Sequence, residues 1–312
     1  MKTIPKIIHQ IWLQGSLYIS NESRERINKI KKIHNINDKG DITDNGDIIR
    51  IDPEIRMRRE PEIIRIEPEI LRRRGQWKYR LWDEVQILNL LHTLDKDYIE
   101  KYYKFIYLHQ KVDYAKLIIL KVYGGIYIDM DCNVVKNLDG LFEHVKDYDF
   151  IVSYLSQSNK VINYVSCGYM DKCINNGIII SKVNTDICNY IIDKLKYECE
   201  SILDKKQSCI TNTTGPIIFN KIIYSYLNDK KSNKSDVLIL PPEFLEPCLF
   251  DVCNNTENTY IQHIHEWTWI DNKYYKSISI FYTKNTTLLN IICVIITIYL
   301  LIYIFNIYKS SL

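Results

Sequence analysis

The chain has 312 residues, and 46% of them are hydrophobic, which is enough to bury one large domain or two small ones. Its 41 basic and 38 acidic residues leave a net charge of +3, and this balance gives no field that would attract a nucleic acid. The nine cysteines form no CxxC pair and no Cys/His set with zinc-site spacing, so we interpret them as reduced thiols of a protein that faces the cytosol.

Strands and helices are predicted to alternate along the chain. Apolar or alternating runs indicate strands at 4–13, 76–84, 122–135, 149–154, 176–183, 237–240 and 260–270. Helical spacing of apolar residues indicates helices at 21–34, 84–94, 97–110, 111–123, 186–203 and 215–228. Ser20 or Asn21 should cap the first helix, and Gly124 should end the fourth. The alternation predicts an α/β fold built on one sheet.

The segment 36–75 interrupts this pattern. It contains the unit (D/E)PEI three times, at 52–55, 60–63 and 67–70. Each proline breaks a helix, and charges of both signs surround the repeats. The segment is therefore predicted to be a solvated insertion in the main domain.

An uncharged apolar run closes the chain. Residues 288–308 carry no charged side chain, and roughly 20 apolar residues suit the hydrocarbon core of a bilayer. We predict a main domain at 1–284 and a single-pass membrane anchor at 285–312. Because the N-terminal run is broken by polar residues, it does not resemble a signal peptide. The main domain is therefore expected to face the cytosol, with an endomembrane lumen as the alternative.

Two acids lie in the apolar stretch VYGGIYIDMDCNVV at 122–135. On a strand, Asp129 and Asp131 would point to one face and Met130 to the other. Adjacent carboxylates repel each other, so a divalent ion with oxygen ligands, Mn²⁺ or Mg²⁺, is the simplest account of the pair. Gly124 and Gly125 lack a Cβ, which lets a ligand or a neighbouring backbone approach closely.

A second polar pair precedes this stretch. Asp113 and Lys116 stand three residues apart and share one face of the predicted helix 111–123. They are either a surface ion pair or part of a nucleotide site reached through the turn after the helix.

The ordered set of residues resembles a known family of enzymes. The motif positions are Asp113, Lys116, Gly124, Gly125, Tyr127, Asp129 and Asp131. This pattern is similar to the DXD-containing sugar-binding region of glycosyltransferase family 32, the Och1-type and inositol-phosphoceramide mannosyltransferases. Where the family has arginine, this chain has Lys116, which keeps the charge but loses the two-pronged geometry.

Further segments extend the resemblance over most of 1–270. They are IPKIIHQIW at 4–12, WKYRLWDE at 77–84, NNGIIIS at 175–181, TGP at 214–216, PPEFLEP at 241–247 and HIHEWTW at 263–269. The resemblance implies that Gln10 and Trp12 border the nucleotide base and that Asn176 lies near the sugar. It also implies that His263 reaches the metal or the diphosphate and that Trp269 flanks the base or sugar.

The resemblance implies a GT-A, Rossmann-like fold and a retaining enzyme. The enzyme would move a hexose from a UDP- or GDP-sugar donor to a glycan or lipid acceptor. Asp129 and Asp131 would hold Mn²⁺ (or Mg²⁺) against the donor diphosphate and so serve as the catalytic pair.

Two other functions remain open at this point. YIDMDCNV also resembles the signature of haloacid-dehalogenase-type phosphatases, with Asp129 as nucleophile. That signature has Thr or Val where Asn133 stands, and no later pair of aspartates completes a magnesium site. The third possibility is a membrane-tethered sugar-binding protein without catalysis.

Overall fold

A computed structural model of the chain describes the globular part in several ranges and the C-terminal helix separately. The described residues are 3–36, 76–156, 172–199, 206–229, 236–249, 252–266, 277, 281 and 285–310. The predicted insertion at 36–75 lies outside the described residues except for its first member.

Six strands form the main sheet, in the order β2-β1-β3-β6-β5-β7. They are β1 (Ile7–Ile11), β2 (Lys78–Trp82), β3 (Gly125–Ile128), β5 (Phe150–Ser153), β6 (Ile178–Ser181) and β7 (Val237–Leu240). Only β6 runs against its neighbours in this sheet, so the carboxyl ends of the other five strands lie at one edge. We call this the carboxyl edge and the opposite side the amino edge.

Two short strand pairs flank the main sheet. In the first pair, β4 (Cys132–Val134) is antiparallel to β10 (Ile261–His263). In the second, β8 (Cys248–Leu249) is antiparallel to β9 (Val252–Cys253). The first pair brings the end of the globular chain beside the stretch that follows β3.

The described helices agree with most of the predicted ones. They are α1 (Asn21–Ile33), α2 (Glu84–His92), α3 (Lys96–Lys104), α4 (Leu108–Tyr123), α5 (Asp139–Val145), α6 (Asp186–Lys194), α7 (Lys206–Thr213), α8 (Pro216–Asn228), α9 (Pro242–Leu245) and α10 (Thr286–Ser310). The predicted cap of α1 is confirmed, because the Ser20 hydroxyl accepts a hydrogen bond from the Ser23 N–H. Gly124 follows the last residue of α4 with a φ of 62°, as expected for a helix that ends at glycine.

The sheet is buried on both faces. Tyr127 contributes to one apolar core, together with α4, α6 and α8. Its strand neighbours Ile126 and Ile128 contribute to a second core, together with α1 and α5. This alternation follows from the two-residue period of a strand, and helices on both faces of the sheet confirm the predicted α/β class.

The predicted strand at 122–135 is broken into two. β3 ends at Ile128, and the Cys132 N–H donates to the Asp129 carbonyl at 3.2 Å to close a turn. The chain then joins the separate sheet with β10. The two acids therefore lie in a turn at the carboxyl edge, where two carboxylates are easier to accommodate than inside a buried strand.

The prediction that the cysteines are reduced thiols is wrong for much of the described chain. Disulfides join Cys199 to Cys209 and Cys248 to Cys253, and Cys173 is disulfide-bonded as well. Among the residues that the structure describes, the free thiols are those of Cys132, Cys188 and Cys293. Because disulfides persist in oxidising compartments, the cysteines do not support a cytosol-facing domain.

The predicted C-terminal helix is present as α10. Within it, residues Thr287–Ile304 are long and apolar enough to cross a membrane by length and composition, and none of them is buried in the described part of the chain. A helix that is apolar on all sides and left uncovered is typical of a lipid-facing segment.

β3 approaches β1 closely at Gly125, and a substitution at this glycine tests that contact. Its φ is 98°, and a Cβ added there would lie 2.5 Å from the Ile7 carbonyl oxygen. Gly15 has a φ of 85°, but nothing lies within 4 Å of a Cβ added to it. We expect Gly125→Ala to lower the free energy of unfolding by about 3 kcal/mol or more, and Gly15→Ala by only about 1 kcal/mol. Urea unfolding in detergent, followed by circular dichroism, measures both; equal losses would contradict the backbone contact.

His9 should make stability depend on pH. Its Nε2–H donates to the Gly124 carbonyl at 2.9 Å, and the Trp82 indole N–H donates to its Nδ1 at 3.2 Å. Burial lowers the pKa of His9 to about 3, although the hydrogen bond to Gly124 opposes the shift. Folded His9 therefore stays neutral while the unfolded chain takes up a proton below a pH of about 6.5.

The sign of this effect is a loss of stability on acidification. Between pH 6.5 and the folded pKa, each unit of acidification should remove about 1.4 kcal/mol of unfolding free energy. We expect His9→Gln, whose side chain does not titrate, to lose about 2 kcal/mol less than the parent between pH 7 and pH 5. Parallel urea titrations at the two pH values check this, and identical losses in both proteins would refute it.

Candidate functional site

Asp129 and Asp131 occupy the turn between β3 and β4, at the carboxyl edge of the main sheet. Gln10, which is fully buried on β1, donates from Nε2 to the Asp129 carbonyl at 3.3 Å. Its Oε1 accepts a hydrogen bond from the Tyr79 hydroxyl at 2.8 Å. β1 and β2 therefore hold the backbone of the turn in place. Both the Nε2 and the Oε1 of Gln10 are bonded to protein groups.

His263 lies directly beside the second acid. The pairing of β10 with β4 sets His263 opposite Cys132. This register places the His263 Nε2 at 3.1 Å from the Asp131 Oδ1. The other oxygen of Asp131 accepts the backbone N–H of Glu266 at 2.9 Å. His263 therefore contacts Asp131, the second of the two acids.

Asp129 approaches the same imidazole next to Gly177. Its Oδ1 accepts the Tyr127 hydroxyl at 2.7 Å. A Cβ added to Gly177 would lie 2.7 Å from the Asp129 Oδ2 and 2.5 Å from the His263 Cε1. Only a residue without a side chain fits between the carboxylate and the ring, so Gly177 allows the two groups to converge.

The two carboxyl groups have pKa values shifted in opposite directions. Burial raises the pKa of Asp129 to about 6, with the negative charge of Asp131 adding to the effect and Lys116 opposing it. Burial acts on Asp131 too, but the charge and hydrogen bond of His263 outweigh it and lower the pKa of Asp131. The repulsion between two such neighbouring carboxylates falls when a cation binds between them.

A buried glutamate supports His263 from behind. Glu246 is fully buried, and its Oε1 lies 3.0 Å from the His263 Nδ1. Its Oε2 lies 3.1 Å from the Nε2 of His265, whose ring stacks on that of His263 at 3.8 Å. Asn175 donates from Nδ2 to the same Oε1 at 2.5 Å. Glu246 therefore turns the Nε2 of His263 toward Asp131, as carboxylates behind metal-binding histidines do.

Neither Glu246 nor Asn175 was predicted as a site residue. Glu246 lies in the PPEFLEP segment. The similarity of this segment to the family was the sign in the sequence that it could belong to the site. Nothing local in that segment indicates that the glutamate would be buried against a histidine. The contact depends on α9, which packs beside β10.

Asp131 and His263 lie close enough to share a cation, and Asp129 offers a further carboxylate in the same turn. Asp129 and Asp131 supply oxygen, and His263 supplies a nitrogen that Asp131 already contacts. Hard divalent ions such as Mn²⁺ and Mg²⁺ take carboxylate oxygens, and Mn²⁺ also accepts imidazole. Cys132 is close as well, but its sulfur is a soft ligand, which hard ions such as Mg²⁺ and Mn²⁺ do not prefer.

Asp113 and Lys116 form a buried cluster rather than a surface ion pair. Their side chains are 12% and 2% exposed, and the Lys116 Nζ lies 2.6 Å from the Asp113 Oδ1. Asn176 donates from Nδ2 to the same oxygen at 3.0 Å, and the Thr214 hydroxyl donates to Asp113 Oδ2 at 3.1 Å. The Lys116 Nζ also lies 5.3 Å from the centre of the Tyr127 ring. Tyr127 thus links this cluster to Asp129.

The remaining predicted residues fall into three groups. Trp12 stands at the carboxyl end of β1, and its buried Nε1 has no hydrogen-bond partner among the described residues, so it could donate to a ligand. Trp269 lies outside the described residues. Gly124 and Gly125 lie at the amino edge, where the segment Pro5–Ile7 and β6 approach them closely.

Part of the chain matches a known family, and most of it matches a relative. The family described as "Glycosyltransferase sugar-binding region containing DXD motif" matches residues 64–151. An uncharacterized glycosyltransferase of Acanthamoeba polyphaga mimivirus is 27% identical over 271 residues, which are 85% of this chain and 84% of the relative.

Two solved structures can be compared with the fold. Mouse xyloside xylosyltransferase 1 aligns over 84% of this chain and 98% of its own, with 10% identity and a TM-score of 0.41. The PaToxG glycosyltransferase aligns over 72% of this chain and 70% of its own, with 16% identity and a TM-score of 0.40. Within 64–151, the chain is thus similar to DXD-containing glycosyltransferases, and both acids of the motif lie in that range.

Proposed function

We propose that the protein is a metal-dependent glycosyltransferase that moves a hexose from a nucleotide-sugar donor to an acceptor hydroxyl. The observation that carries the proposal is the contact between His263 and Asp131 at the carboxyl edge of the sheet, with Asp129 in the same turn. In open α/β sheets, ligands bind outside the carboxyl ends of the strands. The similarity of residues 64–151 to DXD-containing glycosyltransferases supports sugar transfer over other metal chemistry.

Each part of the site has a role in this proposal. Asp129, Asp131 and His263 would hold Mn²⁺ (or Mg²⁺), which offsets the negative charge that grows on a diphosphate leaving group. Gln10 keeps the acidic turn in place, and Glu246 keeps the imidazole directed at it. The proposal thus separates residues that hold the ion from residues that orient them.

The donor is proposed to lie between the acidic turn and the buried cluster of Asp113, Lys116 and Asn176. These side chains adjoin Asp129 through the Tyr127 hydroxyl. The unpartnered indole N–H of Trp12 supplies a hydrogen-bond donor for the base or the sugar. The resemblance to family 32 supports retention of configuration and a UDP- or GDP-hexose, with mannose among the candidates.

The acceptor is proposed to be a glycan or a lipid at a membrane, because α10 would anchor the chain. The disulfides favour an oxidising lumen over the cytosol for the globular part. Sequons at Asn212, Asn233, Asn254 and Asn285 report on this orientation. A mass decrease after glycosidase treatment of the expressed protein would support the lumen, and an unchanged mass with reduced thiols throughout would support the cytosol.

The experiment that tests the activity is a screen of nucleotide sugars with the purified full chain. We expect release of nucleoside diphosphate and a glycosylated product with Mn²⁺ or Mg²⁺ present, and neither with a chelator. Mass spectrometry identifies the sugar and the acceptor. Release of inorganic phosphate with a trapped aspartyl-phosphate at Asp129 would point to a phosphatase instead. Donor binding without turnover across the whole screen would leave a sugar-binding protein.

A further inference from the structure

The large apolar side chains that are exposed on the globular part share one position in the fold. In the described portion of residues 3–266 they are Leu17, Tyr18, Val85, Tyr103, Ile106 and Leu108, with exposed fractions between 45% and 86%. Single exposed apolar residues are ordinary, but a group confined to one side of a molecule marks a binding surface. We call these six residues the apolar rim.

The strand directions place half of the rim at the carboxyl edge. β1 and β2 are parallel to β3, whose carboxyl end leads into Asp129. Leu17 and Tyr18 follow the end of β1 after a short turn, and Val85 comes just after the end of β2. These three side chains therefore lie on the side of the sheet where the acidic turn lies.

The other half of the rim lies at the same edge, because α4 runs antiparallel to β3. α4 ends at Gly124, at the amino end of β3, so its first turn lies beside the carboxyl end of that strand. The bond from Asn176 to Asp113, on the second turn of α4, confirms this placement. Ile106 and Leu108 stand at the start of α4, and Tyr103 stands at the end of the preceding α3.

The rim is held in place by specific hydrogen bonds. Arg24 donates from Nη2 to the Ser16 carbonyl at 2.9 Å and from Nε to the Ile19 carbonyl at 3.2 Å, which fixes the turn that carries Leu17. The Gln110 Oε1 accepts the Ile106 N–H at 3.1 Å and so fixes the start of α4. The exposed side chains of Leu17 and Ile106 therefore stand on backbone that hydrogen bonds hold in place.

The chain also leaves the globular part at this edge on its way to α10. Glu266 is the last described residue before the connection, and its N–H donates to Asp131 at 2.9 Å. Its side chain pairs with Arg26 at 2.5 Å. The connecting residues 267–285 can span at most roughly 65 Å when fully extended, so the start of α10 lies within that distance of Glu266.

We propose that the apolar rim rests on the surface of the bilayer that holds α10, so that the acidic turn opens toward the membrane. Leucine and isoleucine side chains enter the boundary between head groups and acyl chains, and tyrosine suits the same depth. The inference rests on the proposed membrane anchor. Combined with the proposed function, it means that the membrane presents the acceptor to the site.

Site-specific photocrosslinking in membranes tests this proposal. The full chain is expressed with p-benzoylphenylalanine at one position at a time, and the membranes are irradiated before mass analysis. Leu17 and Ile106 are the test positions, and Asp147, which is exposed at the amino edge just before β5, is the matched control. Ile296 within α10 reports whether the helix itself contacts lipid.

We expect lipid adducts at positions 17 and 106 to exceed those at 147 on the order of tenfold, because the length of the strands separates the two edges. Adducts at 296 but none above the control at 17 and 106 would overturn the proposal while leaving the anchor intact. A lack of adducts at 296 would overturn the anchor and the proposal together. Crosslinked dimers at 17 and 106 in place of lipid adducts would show that a second copy covers the rim.

Discussion

Replacing either Asp129 or Asp131 with asparagine should lower sugar transfer about 10²-fold or more. Asparagine keeps the size of the side chain but removes the charge that would hold a divalent ion beside the donor diphosphate. Both carboxylates belong to the proposed metal site beside His263, so either change would take one ligand from the proposed ion. Initial rates of product formation with saturating Mn²⁺ measure the effect.

The control is Asp147→Asn, which removes an exposed carboxylate from the amino edge. It should leave the rate and the metal dependence unchanged. Mn²⁺ binding, measured by electron paramagnetic resonance, should weaken in both site variants and stay unchanged in the control. Full activity and unchanged Mn²⁺ binding in the two site variants would rule out the metal site. Reduced Mn²⁺ binding together with full activity would show that the ion is not needed for catalysis.

Removing Asp113 should cause the largest loss of stability among the changes considered. Lys116 is 2% exposed and lies 2.6 Å from the Asp113 Oδ1, so Asp113→Leu leaves a buried ammonium group without its partner. Breaking a buried ion pair in this way costs about 3–5 kcal/mol. The polar side chains of Asn176 and Thr214 lose an acceptor at the same time. Urea unfolding in detergent measures the change in free energy.

A double-mutant cycle isolates the pair. Asp113→Leu with Lys116→Met replaces both charges by apolar groups of similar size, so it should cost less than Asp113→Leu alone. The exposed pair Lys146 and Glu143 provides a comparison, and Glu143→Ala should leave the unfolding midpoint almost unchanged. Additive effects of the two substitutions at 113 and 116 would show that the buried charges do not depend on each other.

The sequence left open whether Asp113 and Lys116 form a surface ion pair or part of a nucleotide site. Helical spacing places Asp113 and Lys116 on one face whether that face meets solvent or the protein interior. The burial of the pair comes from the helix packing against β6 and from the approach of Thr214. Those contacts join segments far apart in the chain, so no local pattern reports them.

Gly124 and Gly125 show a second limit of prediction from the local sequence. The sequence allowed either a ligand or a neighbouring backbone to approach Gly124 and Gly125, and the structure shows the segment Pro5–Ile7 and β6 beside them at the amino edge. A glycine pattern indicates that something approaches closely, but it does not say whether that is a ligand or backbone. The strand that follows carries the chain across the sheet, so the glycines and the acids end on opposite sides.

The sequence by itself determined the α/β class, the positions of most strands and helices, the apolar C-terminal helix and the acidic pair. These follow from hydrophobic periodicity, capping residues and an unusual charge pattern, which are local properties of the chain. Only the tertiary structure decided that Asp129 and Asp131 lie in a turn, that Glu246 supports His263, and that cysteines are paired. It also gathered the exposed apolar residues at the edge that carries the acids. Strand order and direction produce these placements, and they depend on contacts between distant segments.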